Sequence, residues 1–496
     1  MPVSAPVGPA SAASQASANL AAARTVDVAP IALATVAGRE CPSLAARRAF
    51  LAHLHRAVRA RLDDLVAAVS REIGKPEFET VTGDIMPLLA SIRWHRRHLP
   101  KLLGERRLGG KAWWQLGQRH RVQRVPVGDV AIIATWNYPI QLLGIQVVQA
   151  IAAGNRVTVK PSERTPLTQA ILLELVATAC RDAGLPGDTL RTTPATRDAG
   201  ARLLAERRFD HIVFTGSTAV GRAIADIAAR TLTPTTLELS GHDSAFVLDD
   251  ADAALAARAI WHAATMNAGQ TCMAPRRALV LPKAYGAFVA ELARLAAAAR
   301  PLPLVDEAAA QRCAALADDA IARGARSLLA TAEPPRGRHL RPLALVDCPT
   351  DAPLFDGDHF GPLLAVTPVA DFETALALHA SVGHALATSV FTRSVGAIRR
   401  DAARFGSSFV TINDCVLPTA HPAASIAGGG SSGWGASRGA AGLLALTREV
   451  TVSTTGRLRT PLEPPSDSVK TWMRRLASFP FSSLPPSQRP SASNHR

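Results

Sequence analysis

Several features that mark common classes of protein are scarce in this 496-residue sequence. Its six cysteines are widely separated, and no two have the C-x-x-C spacing of a zinc site or a dithiol motif. We therefore predict no metal site, and free thiols in a reducing cytoplasm. Only two tyrosines occur, and no run of six basic residues accompanies the formal net charge of +15. The scattered arginines favour a solvated basic surface and no nucleic-acid partner.

Long uninterrupted apolar runs are also lacking. The longest, residues 130–154, contains Asn137, Pro139 and three glutamines, so we predict no membrane span. The first 23 residues are rich in Ala and Ser but have no basic segment, which predicts a disordered tail instead of a secretion signal. Residues 457–496 are rich in Pro and Ser, and we expect a second tail there with a short helix near 470–476.

From about residue 129 the sequence alternates between strand and helix patterns. The apolar runs "VAIIAT", "RVTVKPS", "HIVFTGS", "TTLELSG" and "SAFVLDD" are typical of strands, and the segments between them have helical periodicity. One helix should end at Gly154, and the next should begin with Thr165 as its N-cap and Pro166 in its first turn. This order predicts parallel sheets with helices on both faces. Further helices are expected at 43–72, 253–266, 283–300 and 306–329, and further strands at "GPLLAVTPVA" and "ATSVFTR".

Two glycine-rich stretches invite comparison with phosphate-binding loops. "GGGSSG" at 428–433 follows no long apolar strand, and we interpret it as a loop. "GSTAVGRA" at 216–223 has Arg222 and Ala223 where a P-loop has Lys and Ser or Thr, which argues against kinase or ATPase chemistry. It does join a strand to a helix, where free N–H groups suit a pyrophosphate. An ordinary capped turn is the alternative.

Six motifs in order give the chain a resemblance to the NAD(P)-dependent aldehyde dehydrogenase superfamily. The resemblance covers about 40 to 456 and implies a Rossmann-like NAD-binding domain, an α/β catalytic domain and a small β bridging element. The motifs are "TWNYP" (135–139), "KPSE" (160–163), "FTGSTAVG" (214–221), "LELSG" (237–241), "NAGQTC" (267–272) and "FGP" (360–362).

Three residues would carry the chemistry of this family. Cys272 resembles the nucleophile that forms a thiohemiacetal and then a thioester, although a buried structural cysteine is the alternative. Because a thiol is mostly protonated at neutral pH, it needs a helix end or a base nearby. Asn137 resembles the side-chain donor to the oxyanion, or else is a turn residue before Pro139. Glu238 resembles the base that activates water, or else is a strand-end glutamate paired with an arginine.

The same resemblance assigns the cofactor site. Lys160 and Glu163 would contact the adenine ribose, and a carboxylate there should favour NAD over NADP, with NADP possible. Ser217, at the start of a helix, would donate to the pyrophosphate. The full set of expected cofactor-binding residues is Trp136, Lys160, Ser162, Glu163, Gly216, Ser217, Gly221, Asp358 and Phe360.

The sequence departs from the family pattern at three places. Asp358 stands where the family usually has a Glu that holds the nicotinamide ribose, and Ser240 and His242 replace Gly and Lys. The usual "PFGG" stretch is replaced by "SIAGGG" at 425–430. We expect these changes to affect the substrate and the rate, while the nucleophile, the oxyanion donor and the base remain.

These observations lead us to predict a cytoplasmic aldehyde dehydrogenase that forms a homodimer or a homotetramer and acts on an apolar, medium-chain or aromatic aldehyde. A CoA-acylating relative and a non-catalytic dinucleotide-binding member are the alternatives. Expected walls of the aldehyde pocket are Gln141, Trp261, Met266, Met273 and His421. The expected domains are a tail at 1–25, the NAD-binding domain at 26–111 and 127–240, the catalytic domain at 241–430, the bridging element at 112–126 and 431–456, and a tail at 457–496.

Overall fold

The structure, a computed structural model, describes residues 41–110, 115, 117–329, 334–356, 359–383, 385–456 and 465–478. Chain contacts divide it into two compact units. The larger comprises the described residues up to Gly104 together with Arg124–Glu449, and the smaller comprises Glu105–Gln123 with the described residues from Val450 onwards. The expected tail at 1–25, most of the expected tail at 457–496, and Asp358 lie outside the described residues.

Helices open the larger unit. The expected helix at 43–72 is two helices, since the pattern is interrupted at Arg61, which has a non-helical ψ of 26°. The helical segment that follows was not predicted from the sequence. In it a π-helical turn, Val81–Ile85, joins two α-helices. Its face packs on the first two helices through apolar residues such as Leu88 and Ile92. These helices are α1 (Leu44–Ala60), α2 (Leu62–Ile73), α3 (Glu77–Thr80) and α4 (Met86–Leu103).

A six-stranded sheet forms the first of two α/β cores. Its strand order is β18-β7-β6-β3-β4-β5, and β7 to β5 run parallel. Strands β3 and β6 are buried along their whole length, as expected for parallel strands covered on both faces. The strands are β3 (Asp129–Ile133), β4 (Arg156–Lys160), β5 (Leu190–Thr192), β6 (His211–Thr215), β7 (Thr235–Glu238) and β18 (Gly433–Trp434). The helices between them are α5 (Gln141–Ala153), α6 (Pro166–Asp182), α7 (Arg197–Glu206) and α8 (Thr218–Thr231).

The second core is a seven-stranded sheet with the order β11-β13-β14-β9-β8-β15-β16. All its pairs are parallel except that of β11 with β13. The strands are β8 (Asp243–Val247), β9 (Pro275–Val280), β11 (Arg326–Ser327), β13 (Leu343–Val346), β14 (Leu363–Pro368), β15 (Ala387–Phe391) and β16 (Phe409–Ile412). The helices are α9 (Ala253–Thr265), α10 (Pro282–Ala298), α11 (Glu307–Ala322), α12 (Pro353–Asp356), α13 (Phe372–Ser381) and α14 (Val395–Asp401). A further helix, α15 (Gly439–Ala445), packs on α4 and α5 of the first core. The predicted alternation and α/β class are therefore confirmed.

Short strands and one long antiparallel pair complete the structure. The two-stranded pairs are β10 (Leu302–Pro303) with β12 (His339–Leu340), and β17 (Ile426–Ala427) with β19 (Ala436–Ser437). A three-stranded sheet with the order β1-β2-β20 contains β1 (Arg106–Arg107), β2 (Gln118–Pro126) and β20 (Thr447–Thr455). The expected C-terminal helix is α16 (Asp467–Ala477). Among the described helices, none combines the length and the apolar character needed to cross a bilayer.

Helix ends largely follow the sequence signals. Gly154 ends α5 in the left-handed conformation, as expected from its lack of a Cβ. Thr165 stands at the N-cap of α6 and Pro166 in its first turn, as predicted, but the Thr165 hydroxyl makes no capping hydrogen bond to the helix. The carboxylate of Glu72, at the end of α2, takes that role and accepts from the backbone N–H groups of Leu167 and Thr168. The capping contact therefore comes from a residue distant in sequence, Glu72, and not from the adjacent Thr165 that the sequence pattern suggested.

Candidate active site

One cavity of about 820 Å³ opens at the carboxyl ends of the parallel strands of the first sheet. Such ends are where ligands bind in open α/β sheets, since helix N-termini and loops meet there. The loop after β3, the turn between β6 and α8, and the end of β7 all contribute to its wall. Of the predicted catalytic and cofactor-binding residues, those lining the cavity are Trp136, Asn137, Glu163, Gly216, Ser217, Glu238, Cys272 and Phe360.

The stretch "NAGQTC" is a tight connection between α9 and β9. Asn267, Ala268 and Gly269 all have left-handed backbones, with φ of 51°, 54° and 71°. Asparagine and glycine tolerate this region, whereas alanine does so at a cost. A Cβ on Gly269 would lie 2.3 Å from the carbonyl carbon of Gly361. Glycine is therefore required at that position for both space and torsion.

Polar contacts fix each turn of this connection. The side-chain amide of Asn267 donates to the backbone carbonyls of Asn137 (2.9 Å) and Gln270 (3.1 Å). The Gln270 side chain accepts from the N–H of Val305 at 2.7 Å and donates to Asn267 O at 3.0 Å. Tyr138 OH and Thr271 Oγ1 are 2.7 Å apart. These contacts show why amide and hydroxyl side chains surround the thiol.

Asn137 is oriented by neighbours on both sides of its amide. Thr135 Oγ1 donates to Asn137 Oδ1 at 3.1 Å, and Asn137 Nδ2 donates to Gln270 O at 3.1 Å. An amide nitrogen carries two hydrogens, so one N–H of Asn137 is left without a partner among the described residues. Since Asn137 lines the cavity beside Cys272, this N–H can serve an oxyanion there.

A buried ion pair supports Asn137 from behind. Lys75 Nζ lies 2.6 Å from Asp84 Oδ2 and donates to the backbone carbonyl of Asn137 at 2.7 Å. The other oxygen of Asp84 accepts from the N–H groups of Ile140 and Gln141, at the start of α5. Both side chains of the pair are 0% exposed. The Lys75–Asp84 pair therefore connects the backbone of Asn137, the candidate oxyanion donor, to the first turn of α5.

Glu238 is held at the end of β7 inside a short hydrogen-bond chain. Gln146 Nε2 donates to Thr215 Oγ1 at 2.8 Å, and Thr215 Oγ1 donates to Glu238 Oε2 at 3.2 Å. Ser437 Oγ donates to the other oxygen, Oε1. Burial raises the pKa of Glu238, while the charge of Arg438 and the hydrogen bonds oppose that rise. A carboxylate with a raised pKa suits a general base.

Cys272 is half-buried on the cavity wall, in the turn three residues before the start of β9. Burial, and next the charge of Glu238, raises the pKa of the thiol to about 12, with Arg438 and Arg276 acting in the opposite direction. Of the two aids expected from the sequence, a base is near and a helix N-terminus is not, because the following element is a strand. Burial and the charge of Glu238 thus disfavour the thiolate, and the two arginines favour it.

The residues expected around an adenine ribose form a charged cluster at the edge of the cavity. Lys160 Nζ donates to Glu163 Oε2 at 2.7 Å, and Arg197 Nε lies 3.9 Å from Glu163 Oε1. Burial alone would raise the pKa of Glu163, but the hydrogen bond from Lys160 and the two cations hold it below its ordinary value. Both carboxylate oxygens thus face a cation, an arrangement that the sequence pattern did not reveal.

The other expected cofactor residues fall into two groups. Ser217 Oγ caps α8 by accepting from Val220 N at 3.5 Å, while Trp136 and Phe360 pack edge to face at 5.8 Å on the cavity wall. Lys160, Ser162 and Gly221 do not line the cavity. Ser162 is buried beneath it and accepts from Arg164 N, and Gly221 provides room for the Leu239 side chain.

The aldehyde-pocket walls differ from the expected set. Met273 lines the cavity as predicted, but Gln141, Trp261, Met266 and His421 do not. Their places are taken by three apolar side chains: Leu142 in α5, Leu386 directly before β15, and Ile426 in β17. Leu142 lies five residues after Asn137, whereas the other two lie far along the chain.

Several site residues escaped the sequence reasoning. Arg438 lines the cavity although it lies 166 positions after Cys272 along the sequence, and no motif pointed to it. Glu79 accepts from the N–H of Asn267 at 2.7 Å and so braces the thiol loop from the missed helical segment. "GKPEFET" at 74–80, with its charged residues at the end of an apolar helix pattern, was the available signal for that segment.

Comparison with known proteins assigns the chain to a family. The sequence pattern of the Aldehyde dehydrogenase family matches residues 5–452. The chain is 31% identical to the 4,4'-diapolycopene-4,4'-dial dehydrogenase of Cytobacillus firmus, covering 82% of this chain and 89% of that protein. It is 32% identical to the coniferyl aldehyde dehydrogenase of Pseudomonas sp. (strain HR199 / DSM 7063), covering 78% and 82%. Its fold matches an NADP-dependent enzyme of E. coli with a TM-score of 0.78 at 25% identity, over 89% and 90% of the two chains. The chain therefore belongs to the aldehyde dehydrogenase family and is an aldehyde-oxidising oxidoreductase.

Proposed function

We propose that this protein oxidises an aldehyde to its carboxylic acid with NAD⁺ through a covalent intermediate on Cys272. The observation that carries the proposal is the convergence of thiol, amide and carboxylate on one cavity, next to the strand ends of the first sheet. A nucleophile, an oxyanion donor and a base are the three groups that aldehyde oxidation with hydrolysis requires.

The residues present fit a dinucleotide. The cavity continues from Cys272 to Gly216 and Ser217, where α8 begins and its N-terminal N–H groups suit a pyrophosphate. Glu163 lies at the cavity edge near Lys160, where a ribose hydroxyl can be held. Trp136 and Phe360 form an apolar wall suited to a flat ring. When bound, the nicotinamide supplies the hydride acceptor of the reaction.

The chain's own residues account for the remaining steps. The Cys272 thiol loses its proton to solvent, and the thiolate sulfur adds to the carbonyl carbon. Asn137 Nδ2 and the N–H of Cys272 donate to the oxygen that becomes negative. Loss of hydride from the same carbon leaves a thioester on Cys272. Glu238 takes a proton from water as the water oxygen adds to the thioester, and cleavage of the C–S bond releases the acid and the thiolate.

Glu238 favours hydrolysis over transfer of the acyl group to coenzyme A. A buried carboxylate that shares a cavity with the thiol can activate water there. We therefore infer a free acid as product, without a requirement for CoA or phosphate.

The charged cluster around Glu163 modifies the expectation for the cofactor. A lone carboxylate would repel the 2′-phosphate of NADP, but Lys160 and Arg197 offset its charge. We infer that NAD is preferred and that NADP is accepted with a modest penalty, because Arg197 is 70% exposed and can approach a phosphate.

The substrate we infer is an apolar aldehyde. Leu142, Met273, Leu386 and Ile426 line the cavity, and they offer dispersion contacts to a hydrocarbon or an aromatic ring. The two relatives described above are named for a polyene dialdehyde and for coniferyl aldehyde, both of which contain conjugated carbon chains. A conjugated or aromatic aldehyde is therefore the first choice for assay.

We also infer a cytoplasmic homodimer or homotetramer. Strand β20 (Thr447–Thr455) is the edge of the three-stranded sheet and is largely exposed. Edges of this kind pair with another chain unless they are protected. A proline at Val452 should lower the oligomer mass measured by light scattering, whereas an unchanged mass would contradict assembly through this edge.

The experiment that tests the function is an aldehyde panel assayed for NADH and acid formation, with NAD and NADP in parallel and without CoA. Wild-type protein should produce one acid per NADH. Cys272→Ala should abolish turnover while retaining NAD binding measured by calorimetry. Cys180→Ala is the matched control, because Cys180 is a buried thiol in α6 away from the cavity. Turnover that requires CoA would contradict the hydrolytic route.

A further inference from the structure

Arg438 occupies an unusual backbone position on the cavity wall. It lies between β19 and α15, and its φ of 62° with ψ of 171° is a conformation that residues with a Cβ rarely adopt. Strain of this kind persists only where the surroundings hold it, and it is concentrated at functional sites. Arg438 is also 9% exposed, although an arginine is seldom so buried without a pairing anion.

Hydrogen bonds fix Arg438 at its backbone and at its guanidinium. Its N–H donates to Gln149 Oε1 at 3.2 Å, and its carbonyl accepts from Gly442 N at 2.9 Å. Guanidinium Nη1 donates to the carbonyl of Thr419 at 3.1 Å. Gln149 is itself held, since its Nε2 donates to Gly439 O at 3.1 Å. The guanidinium therefore has a defined position on the cavity wall.

Among the described residues, the Arg438 guanidinium forms no ion pair. The carbonyl of Thr419 is the one hydrogen-bond acceptor that its side chain has there. The guanidinium nevertheless lines the same cavity as Glu238 and Cys272. The preceding residue, Ser437, donates directly to the Glu238 carboxylate. Arg438 thus places a fixed positive charge beside two groups that must each become negative in the reaction.

We propose that Arg438 is a positioning residue of aldehyde oxidation, whose fixed guanidinium holds Glu238 as a carboxylate and stabilises the thiolate of Cys272. The proposal rests on the proposed function, because it uses the roles assigned there to Glu238 and Cys272. The opposite-charge interaction is stronger in this buried site than in water. It favours the charged form of both groups against the burial that disfavours it.

The other charges around these groups do not replace Arg438. Thr215, Gln146 and Ser437, which surround Glu238, are neutral. The negative charge of Asp243 raises the pKa of Cys272 and so disfavours the thiolate.

Arg276 is the second cation that acts on Cys272, and it donates to the carbonyls of Gly269 and Thr271. Tyr138, whose pKa burial raises, remains neutral. Arg438 is the cation that acts on both Glu238 and Cys272.

The test compares Arg438→Met and Arg438→Gln, which remove the charge, with Arg438→Lys, which keeps it. The first measurement is the rate of Cys272 alkylation by iodoacetamide at a fixed, near-neutral pH in protein without aldehyde, followed by peptide mass spectrometry. Without the cation the alkylation rate should fall about tenfold or more, because a neighbouring opposite charge usually shifts a pKa by about one unit or more. The lysine variant should lose much less of the rate. Arg294→Met, at an exposed arginine on α10, is the matched control and should keep the wild-type rate.

The second measurement is the pH profile of kcat for the best aldehyde. Because removal of the cation raises the pKa of Glu238, the acid limb of kcat should move to higher pH in the same variants. An unchanged alkylation rate in a folded charge-free variant, or a lysine variant that loses as much of the rate as the methionine variant, overturns the proposal. Both charge-free variants are measured, so that a variant that folds is available for the alkylation and kcat measurements even if the other does not fold. Since alkylation needs no aldehyde, its outcome is separate from any failure of the wild type to oxidise aldehydes.

Discussion

Replacing Lys75 by Met should damage both the stability and the catalytic geometry of this protein. Lys75 and Asp84 form an ion pair whose side chains are 0% exposed, so the mutation leaves a buried carboxylate without its cation. Breaking such a pair typically lowers the free energy of unfolding by about 3–5 kcal/mol. The ammonium also lies 3.8 Å from the Tyr138 ring centroid, and the loss of that cation–π contact adds to the effect.

The same mutation removes a donor from the Asn137 carbonyl. That oxygen keeps its hydrogen bond from Asn267, but it loses the 2.7 Å contact with Lys75. A shift of the Asn137 backbone would move the side-chain amide away from the oxyanion position, so kcat should fall more steeply than the affinity for NAD. Small displacements of this kind can cost about a hundredfold in rate.

The assay is urea unfolding followed by circular dichroism, together with steady-state kinetics, for Lys75→Met, Asp84→Asn and the double variant. The double variant should recover part of the stability, because it leaves no unpaired buried charge. Lys283→Met, at an exposed lysine on α10, is the control. A Lys75→Met variant within about 1 kcal/mol of wild type, or strictly additive single effects, would refute the reasoning.

Four further outcomes follow from the site. Glu238→Gln should give one NADH per active site and then stall, with steady-state kcat reduced about 10²–10⁴-fold; continued wild-type turnover would exclude Glu238 as the base. Asn137→Ala should lower kcat by about 10²–10³-fold in stopped-flow hydride transfer, and a smaller loss than tenfold would remove it from the oxyanion site. Because burial raises the pKa of Glu238, the wild-type hydrolysis rate should decline with falling pH before an ordinary glutamate would protonate; a profile flat down to that range would disprove the assigned environment. Gly269→Ala should lower thermal stability by about 1–3 kcal/mol, whereas Gly286→Ala, within α10 with open space around it, should not; equal behaviour of the two would contradict the strained loop.

The sequence was informative where function depends on local pattern. Cys272, Asn137 and Glu238 each follow a strand or helix whose period is readable, and their motifs come in a fixed order. The ends of parallel strands necessarily meet at one edge of a sheet, so motifs at those ends were predictable neighbours. That is why eight of the predicted catalytic and cofactor-binding residues line one cavity.

Long-range pairings could not be read in the same way. The cap of α6 comes from Glu72, 94 positions before Pro166, and the support for Asn137 comes from Lys75. Neither partner is marked by spacing, since both follow from how α2 and the helical segment after it pack on the first sheet. The environment of Glu163 was missed for a similar reason, because Arg197 lies on a separate helix.

The thiol environment shows a different limit of the sequence. Residue types suggested a nucleophile and a nearby base, but the burial of the thiol and the sign of the surrounding charges depend on the fold. Glu238, the proposed base, also raises the pKa of Cys272 because both would be negative. The fold brings Arg438 and Arg276 near the thiol as counter-charges, and the position of Arg438 in a glycine-rich segment obscured it in the sequence.

The pairing of β6 with β7 joins the turn proposed to bind the pyrophosphate to the proposed base, Glu238. Thr215 lies opposite Glu238 in the parallel ladder, and the next residue, Gly216, donates its N–H to the Glu238 carbonyl at 3.0 Å. A displacement of the turn proposed to hold the pyrophosphate should therefore also displace Glu238, the carboxylate proposed to activate water. Engineers who reshape this turn to change the dinucleotide should anticipate slower release of the acid, even where the new cofactor binds well.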